Sequence, residues 1–143
     1  MNSTKLPRMS APIELLKQVP LFKDLNERQL KSLSTEFTER RFSDGQELTA
    51  EGAGGAGFFV IQSGTAKVTV DGVERRTLGE GDFYGEIALI DGGLRTATIT
   101  ATSDGTAYGL TRWQFKPVVE TNGEIGWHLL EQMAARIREL EQH

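Results

Sequence analysis

Residues 83–101 read FYGEIALIDGGLRTATITA and hold the densest set of groups in the chain able to grip an anion. Gly85 and Glu86 open a short apolar run, Ile87-Ala88-Leu89-Ile90, that suits a helical turn or two; Gly92-Gly93 then lead to Arg95, Thr96 and Ala97. Backbone N–H groups at a helix start carry partial positive charge, and a glycine lets a ligand come close to them. The Arg95 guanidinium adds a planar, two-pronged donor that a phosphate accepts well. Taken singly, Glu86 reads equally as a carboxylate placed against the helix dipole or as an ion-pair partner of Arg95. Taken together, the groups favour a sugar phosphate over bare phosphate. A carboxylate repels a dianion at short range but accepts a hydrogen bond from a sugar hydroxyl.

The composition narrows the field. At 143 residues the chain is most simply one domain with a normal core. Its formal charge of −4 supplies no general field for nucleic acid or an acidic membrane, so an anion must be held by local groups. The absence of cysteine removes disulfide frameworks, thiolate metal sites and cysteine nucleophiles. A cupin-like metal enzyme would need several histidines on its strands, whereas this chain has only His128 and His143, both in its last segment. No metal site, catalytic residue or enzymatic activity is therefore expected. The opening MNSTKLPRMS has no apolar signal-peptide core, and nowhere do about twenty apolar residues run together, so a soluble, cytoplasmic protein is expected.

The elements that must position the anion cradle fall into three parts. Of the 16 glycines none precedes Gly45, fourteen lie from Gly45 to Gly109, and the last two are Gly123 and Gly126. The first part predicts helices: Ile13, Leu15 and Leu16 precede a break at Pro20-Leu21-Phe22. Asn26 with Gln29 then forms a capping-box pattern ahead of Leu30, Leu33 and Phe37. In the middle part, Asp44-Gly45, Glu51-Gly52, Ser63-Gly64 and Asp71-Gly72 punctuate short β-prone runs. Ala66, Val68 and Val70 alternate with polar residues, as do Ala97, Ile99 and Ala101, and Phe58-Phe59-Val60-Ile61 predicts a fully buried strand. The fold class is thus α+β, mainly β: an antiparallel β-roll or jelly-roll barrel of about eight strands between N-terminal and C-terminal helices.

After Trp113, Pro117 predicts either one short turn or a helix restarted near the proline. Thr121 with Glu124 repeats the capping-box pattern and predicts a terminal helix on which Leu130, Met133, Ile137 and Leu140 form an apolar seam. Such a helix is longer than a small barrel needs for cover, so part of it is expected to meet something else. Trp113 and Trp127 read as packing anchors, and the two histidines as surface or helix-end residues.

FYGEIAL followed by RTA resembles the phosphate-binding cassette of the cyclic nucleotide-binding domain family, found in catabolite activator proteins, protein kinase regulatory subunits and cyclic nucleotide-gated channels. The resemblance extends to Pro20-Leu21-Phe22, the glycine-punctuated strands and both C-terminal helical segments. It implies a tail over 1–11 and a cyclic nucleotide-binding domain over 12–143. Within that domain, helices would occupy 12–38, a β-roll 39–111 with its cassette at 83–98, and C-terminal helices 112–143. It implies further that Arg95 pairs with the cyclic phosphate, Glu86 accepts the ribose 2′-hydroxyl, and Gly85 gives its N–H near the sugar. Backbone N–H groups of Ile87, Ala88 and Ala97 would complete the cradle, with the Thr96 hydroxyl near the phosphate or base.

The implied function is a regulatory sensor of cAMP in preference to cGMP. A threonine after the cassette arginine also resembles the cGMP-responsive members. No cofactor is implied beyond the nucleotide itself. On binding, the terminal helix would change position and signal to an effector protein or, by self-association, to a second copy. The alternative is an interaction module of the same fold that binds no nucleotide. The flexible run Gly52-Ala53-Gly54-Gly55-Ala56-Gly57 departs from the family pattern; against the activator proteins, no DNA-binding output is expected, and Leu140-Glu141 fall where polar residues would reach the base.

Overall fold

The computed structural model describes residues 11–49, 57–93 and 96–142. Two short N-terminal helices, α1 (Ile13–Leu16) and α2 (Glu27–Ser34), flank a 3-10 turn at Pro20–Phe22. The expected capping box of α2 is present: the Gln29 N–H donates to Asn26 Oδ1 at 2.8 Å and the Asn26 N–H to Gln29 Oε1 at 2.9 Å. These bonds satisfy orphan donors at the helix start and fix where it begins.

Eight strands follow, split into two antiparallel four-stranded sheets. The first contains β1 (Thr38–Phe42), β8 (Gly105–Thr111), β3 (Gly57–Ser63) and β6 (Phe83–Tyr84) in that order. The second contains β2 (Glu47–Thr49), β7 (Thr98–Ala101), β4 (Ala66–Val70) and β5 (Val73–Leu78). The β4–β5 hairpin turns on Asp71 and Gly72, at φ +52° and +78°. Positive φ at both positions is what a two-residue turn matched to strand twist requires, and Asp-Gly supplies it.

The first sheet is covered on both faces, which explains the unbroken apolar run in β3. Phe59 and Ile61 face the second sheet and meet Phe42, Val68, Ile99 and Ala101. Phe58 and Val60 face the other way, into a second core built with Leu16, Leu21, Phe22, Leu33 and Phe37 from the N-terminal region and with elements that follow the roll. On β8, Tyr108 shares that second core; burial raises its phenol above the usual range and the nearby Glu39 carboxylate adds to the shift.

The C-terminal part departs from the sequence expectation. Helix α4 (Arg112–Thr121) runs unbroken through Pro117 instead of stopping or restarting there. Its true start is a capping box at Thr111 and Gln114, and Thr111-Arg-Trp-Gln114 fits that pattern as well as the one sought at Thr121. An interior proline costs about 3 kcal/mol and strands the carbonyl four residues back. Here that carbonyl belongs to Trp113, which is 79% exposed, while Phe115 is buried and Val118 and Val119 pack against the core. Helix α5 (Gly123–Glu141) starts from Asn122 with no side-chain cap, so the Thr121/Glu124 box does not form. Both tryptophans lie on the surface, Trp127 at 63% exposure, against the expectation of packing anchors. His128 lies on α5 with Nδ1 3.3 Å from Glu131, and His143 lies outside the described residues. No helix among the described residues is long and apolar enough to cross a membrane.

Candidate functional site

The anion cradle is built where the first sheet hands the chain to a third helix. Strand β6 pairs with β3, Phe59 opposite Tyr84 and Val60 opposite Phe83, which fixes the chain on the platform at Gly85. Gly85 is buried and has φ +97°, a conformation other residues adopt only under strain, and from it starts α3 (Glu86–Asp91). The first helical N–H to find a backbone acceptor within α3 is that of Leu89, which donates to the Gly85 carbonyl at 3.1 Å. The N–H groups of Glu86, Ile87 and Ala88 precede it and have no acceptor inside the helix. Leu89, 1% exposed, anchors α3 in the core shared with Phe58 and Phe115. Gly92 ends the helix at φ +70°, its N–H donating to the Ala88 carbonyl at 2.8 Å.

Beyond the loop, Thr96 is exposed and Ala97 buried just ahead of β7, with the Ala97 carbonyl accepting from Thr49 Oγ1 at 3.3 Å. The hydroxyls of Thr96 and Tyr84 lie 3.1 Å apart, which draws the two halves of the FYGE…RTA stretch together. Arg95 and the glycine-rich run at 50–56 lie outside the described residues. Among the described residues, no group of three or more His, Asp or Glu is placed to hold a metal ion.

Glu86 has a partner that sequence reasoning did not name. Arg136 Nη2 of α5 donates to Glu86 Oε2 at 3.5 Å, with the Glu86 side chain 15% exposed and Arg136 35%. The pair links the start of α3 to the last third of the terminal helix, 50 residues away. A signal for it existed in the chain. Ile125, Leu129, Met133 and Arg136 are spaced four, four, three; the first two are buried and Met133 packs on the core. Arg136 continues that inward stripe. The seam expected from Leu130, Met133, Ile137 and Leu140 is instead mostly outward, with Leu130 at 60%, Ile137 at 57% and Leu140 at 75% exposure. Glu86 therefore neither simply caps its helix nor stands alone. One carboxylate oxygen is engaged by the arginine, and a carboxylate has acceptor capacity to spare. Tyr84 is the second residue missed: an aromatic before the glycine reads as core, and only the fold puts its hydroxyl beside Thr96.

Comparison with known proteins bears on the family and the fold. The family model of the cyclic nucleotide-binding domain matches residues 39–122. A cGMP-dependent protein kinase of Drosophila melanogaster, isozyme 2 forms cD5/T2, is 38% identical over 133 residues, which is 87% of this chain and 14% of the kinase's length. Among solved structures, the N-terminal domain of a transcriptional regulator from Streptomyces coelicolor A3(2) superposes with a TM-score of 0.81 at 29% identity, covering 90% of this chain and 93% of that one. The regulatory domain of Toxoplasma gondii PKA, crystallised with cAMP, gives a TM-score of 0.68 at 31% identity over 74% of this chain and 42% of that one. The two-sheet roll, the glycine-opened helix on its platform and the family model together make the chain a member of the cyclic nucleotide-binding domain family.

Proposed function

We propose that the chain is a cyclic nucleotide receptor whose cassette grips the ribose and phosphate and whose terminal helix answers to that grip. The observation that carries this reading is the Glu86–Arg136 pair. The carboxylate assigned to the ribose 2′-hydroxyl is the group that already ties α3 to α5. In this reading Arg95 holds the phosphate, Gly85, Ile87, Ala88 and Ala97 present N–H groups, and Thr96 lies at the edge toward the base. Binding draws α3 toward the phosphate and shifts the balance between two packings of α5, by no more than the ligand's differential affinity for them. The outward apolar residues of α5 are then the surface that an effector or a second copy reads. Calorimetric titration of nucleotide-free protein with cAMP and with cGMP tests the reading. Saturable heat with either supports it, and no heat with both at millimolar concentration sinks it.

If Arg136 orients Glu86 for the ribose, Arg136→Ala should weaken nucleotide binding by about two- to fivefold, since a partly exposed ion pair contributes about 0.2–1 kcal/mol. An unchanged affinity in the same titration would mean the pair serves only to hold α5.

cAMP is the nucleotide favoured by the cassette reading. A second reading, cGMP, is favoured by Thr96 and by the similarity to cGMP-dependent kinases. Tyr84 bears on this choice because its hydroxyl shares a hydrogen bond with Thr96. Removing the phenol oxygen frees the Thr96 hydroxyl to rotate, so Tyr84→Phe should change the ratio of cGMP to cAMP affinity by about threefold, within the worth of one neutral hydrogen bond. Equal changes for both nucleotides would separate Thr96 from base discrimination.

A further inference from the structure

Between α3, α4 and α5 the structure holds a groove of 550 Å³. The volume falls within the roughly 300–1,000 Å³ of small-molecule sites. Its walls are mostly apolar: Leu89 and Ile90 from α3, Phe115 from α4, and Trp127, Leu130 and Met133 from α5. Ile90, Trp127 and Leu130 are 40%, 63% and 60% exposed, an unusual amount of large apolar surface to gather around one concavity.

Three ionisable residues line the groove, Arg112, Lys116 and Glu120, giving it one net positive charge. Lys116 Nζ lies 3.9 Å from Glu120 Oε2, so the one anion already has a partner. The Arg112 side chain donates from Nε to the Ile90 carbonyl at 3.3 Å and, among the described residues, makes no other hydrogen bond or ion pair. Its remaining N–H groups form a planar fork suited to a carboxylate. Apolar walls with one uncommitted guanidinium match a molecule with an aliphatic body and a single anionic head.

We infer that this groove is a second ligand site, distinct from the anion cradle at the start of α3, for a free single-chain amphiphile with a carboxylate head, such as a medium- or long-chain fatty acid. Its aliphatic body lies along the exposed Ile90, Trp127 and Leu130 and its head meets Arg112. The site stands whether or not the chain binds a nucleotide. The two sites would nevertheless share walls. Leu89 and Ile90 follow Glu86 on α3, and Met133 precedes Arg136 on α5, so an occupant that spreads α3 from α5 acts on the Glu86–Arg136 pair.

The test uses the full chain carrying Trp113→Phe, which leaves Trp127 as its one indole, titrated with sodium dodecanoate below its micelle concentration and without nucleotide. The expected result is a saturable change in Trp127 emission with one equivalent bound. Arg112→Gln should weaken it about tenfold or more, as loss of a charge-assisted hydrogen bond predicts. Leu130→Glu, a surface change that leaves the core intact, should weaken it comparably by adding a negative charge to the wall. Dodecyltrimethylammonium should give no saturable response. Overturning results are a dodecanoate response that does not saturate, equal binding of the cationic amphiphile, or affinity unchanged in both variants. Co-sedimentation with anionic phospholipid vesicles in the absence of any response to free dodecanoate would equally overturn it, in favour of a membrane surface.

Discussion

Arg95→Ala is expected to weaken cyclic nucleotide binding roughly 10- to 100-fold, the largest loss any single side chain of the cassette should produce. A charge-assisted hydrogen bond contributes about 1.5–3 kcal/mol net, and each 1.4 kcal/mol is about a factor of ten in affinity. The formal charge is −4, so no general positive field supports a phosphate at the site, and the nearby Arg136 is already paired with Glu86. Backbone N–H groups at the start of a six-residue helix supply direction but only partial charge. Arg95→Lys should recover part of the loss, because it restores a cation without the planar fork. Titration of nucleotide-free protein is the measurement. If Arg95→Ala binds as tightly as the parent chain, the phosphate is held elsewhere and the assignment of the cassette falls, even should the chain still bind nucleotide.

What was legible in advance was whatever depends on neighbours in sequence. Alternation along Ala66–Val70 and Ala97–Ala101 identified inward faces, and Asp71-Gly72 identified a hairpin, because side-chain period and turn chemistry are local. The run Phe58–Ile61 betrayed a strand buried on both faces without revealing that its two faces belong to different cores. Gly85 was legible as the opening of a helical turn that lets a ligand come close, but not as a position held at φ +97°. The terminal helices were harder, since Thr111/Gln114 and Thr121/Glu124 both satisfy the capping pattern and only tertiary packing chooses between them. Pro117 argued for a break, yet the burial of Phe115 and the packing of Val118 and Val119 outweigh the proline's cost. The Glu86–Arg136 and Tyr84–Thr96 contacts depend on how α5 and the loop after α3 settle, which no local rule encodes. The register of the inward stripe on α5 came closest to exposing the first of them.

The platform beneath the cassette makes the second large prediction. Phe58 is 1% exposed and its ring lies 5.6 Å from Phe22, 6.2 Å from Phe37 and 6.0 Å from Phe83, centroid to centroid. The Phe22 and Phe37 contacts are edge-to-face, the arrangement favoured by the ring quadrupoles. These partners come from three places: the 3-10 turn, the segment entering β1, and β6 just before Gly85. One ring thus joins the N-terminal helical layer to the strand that delivers the cassette. Truncating it removes both the transfer of the ring from water and its packing with three neighbours, so Phe58→Ala should lose about 3–5 kcal/mol of stability. Against a total of about 5–15 kcal/mol for an ordinary domain, that is a large share of the stability. Phe58→Leu, which refills part of the space, should lose clearly less. Urea denaturation followed by circular dichroism reads both. A loss under about 1 kcal/mol for Phe58→Ala would mean that the surrounding rings close the gap freely, so that the cassette does not rest on a fixed aromatic platform. With the expected loss, cyclic nucleotide should raise the midpoint of the weakened variant in proportion to the logarithm of its concentration, because a ligand held by the folded cassette stabilises only the folded state.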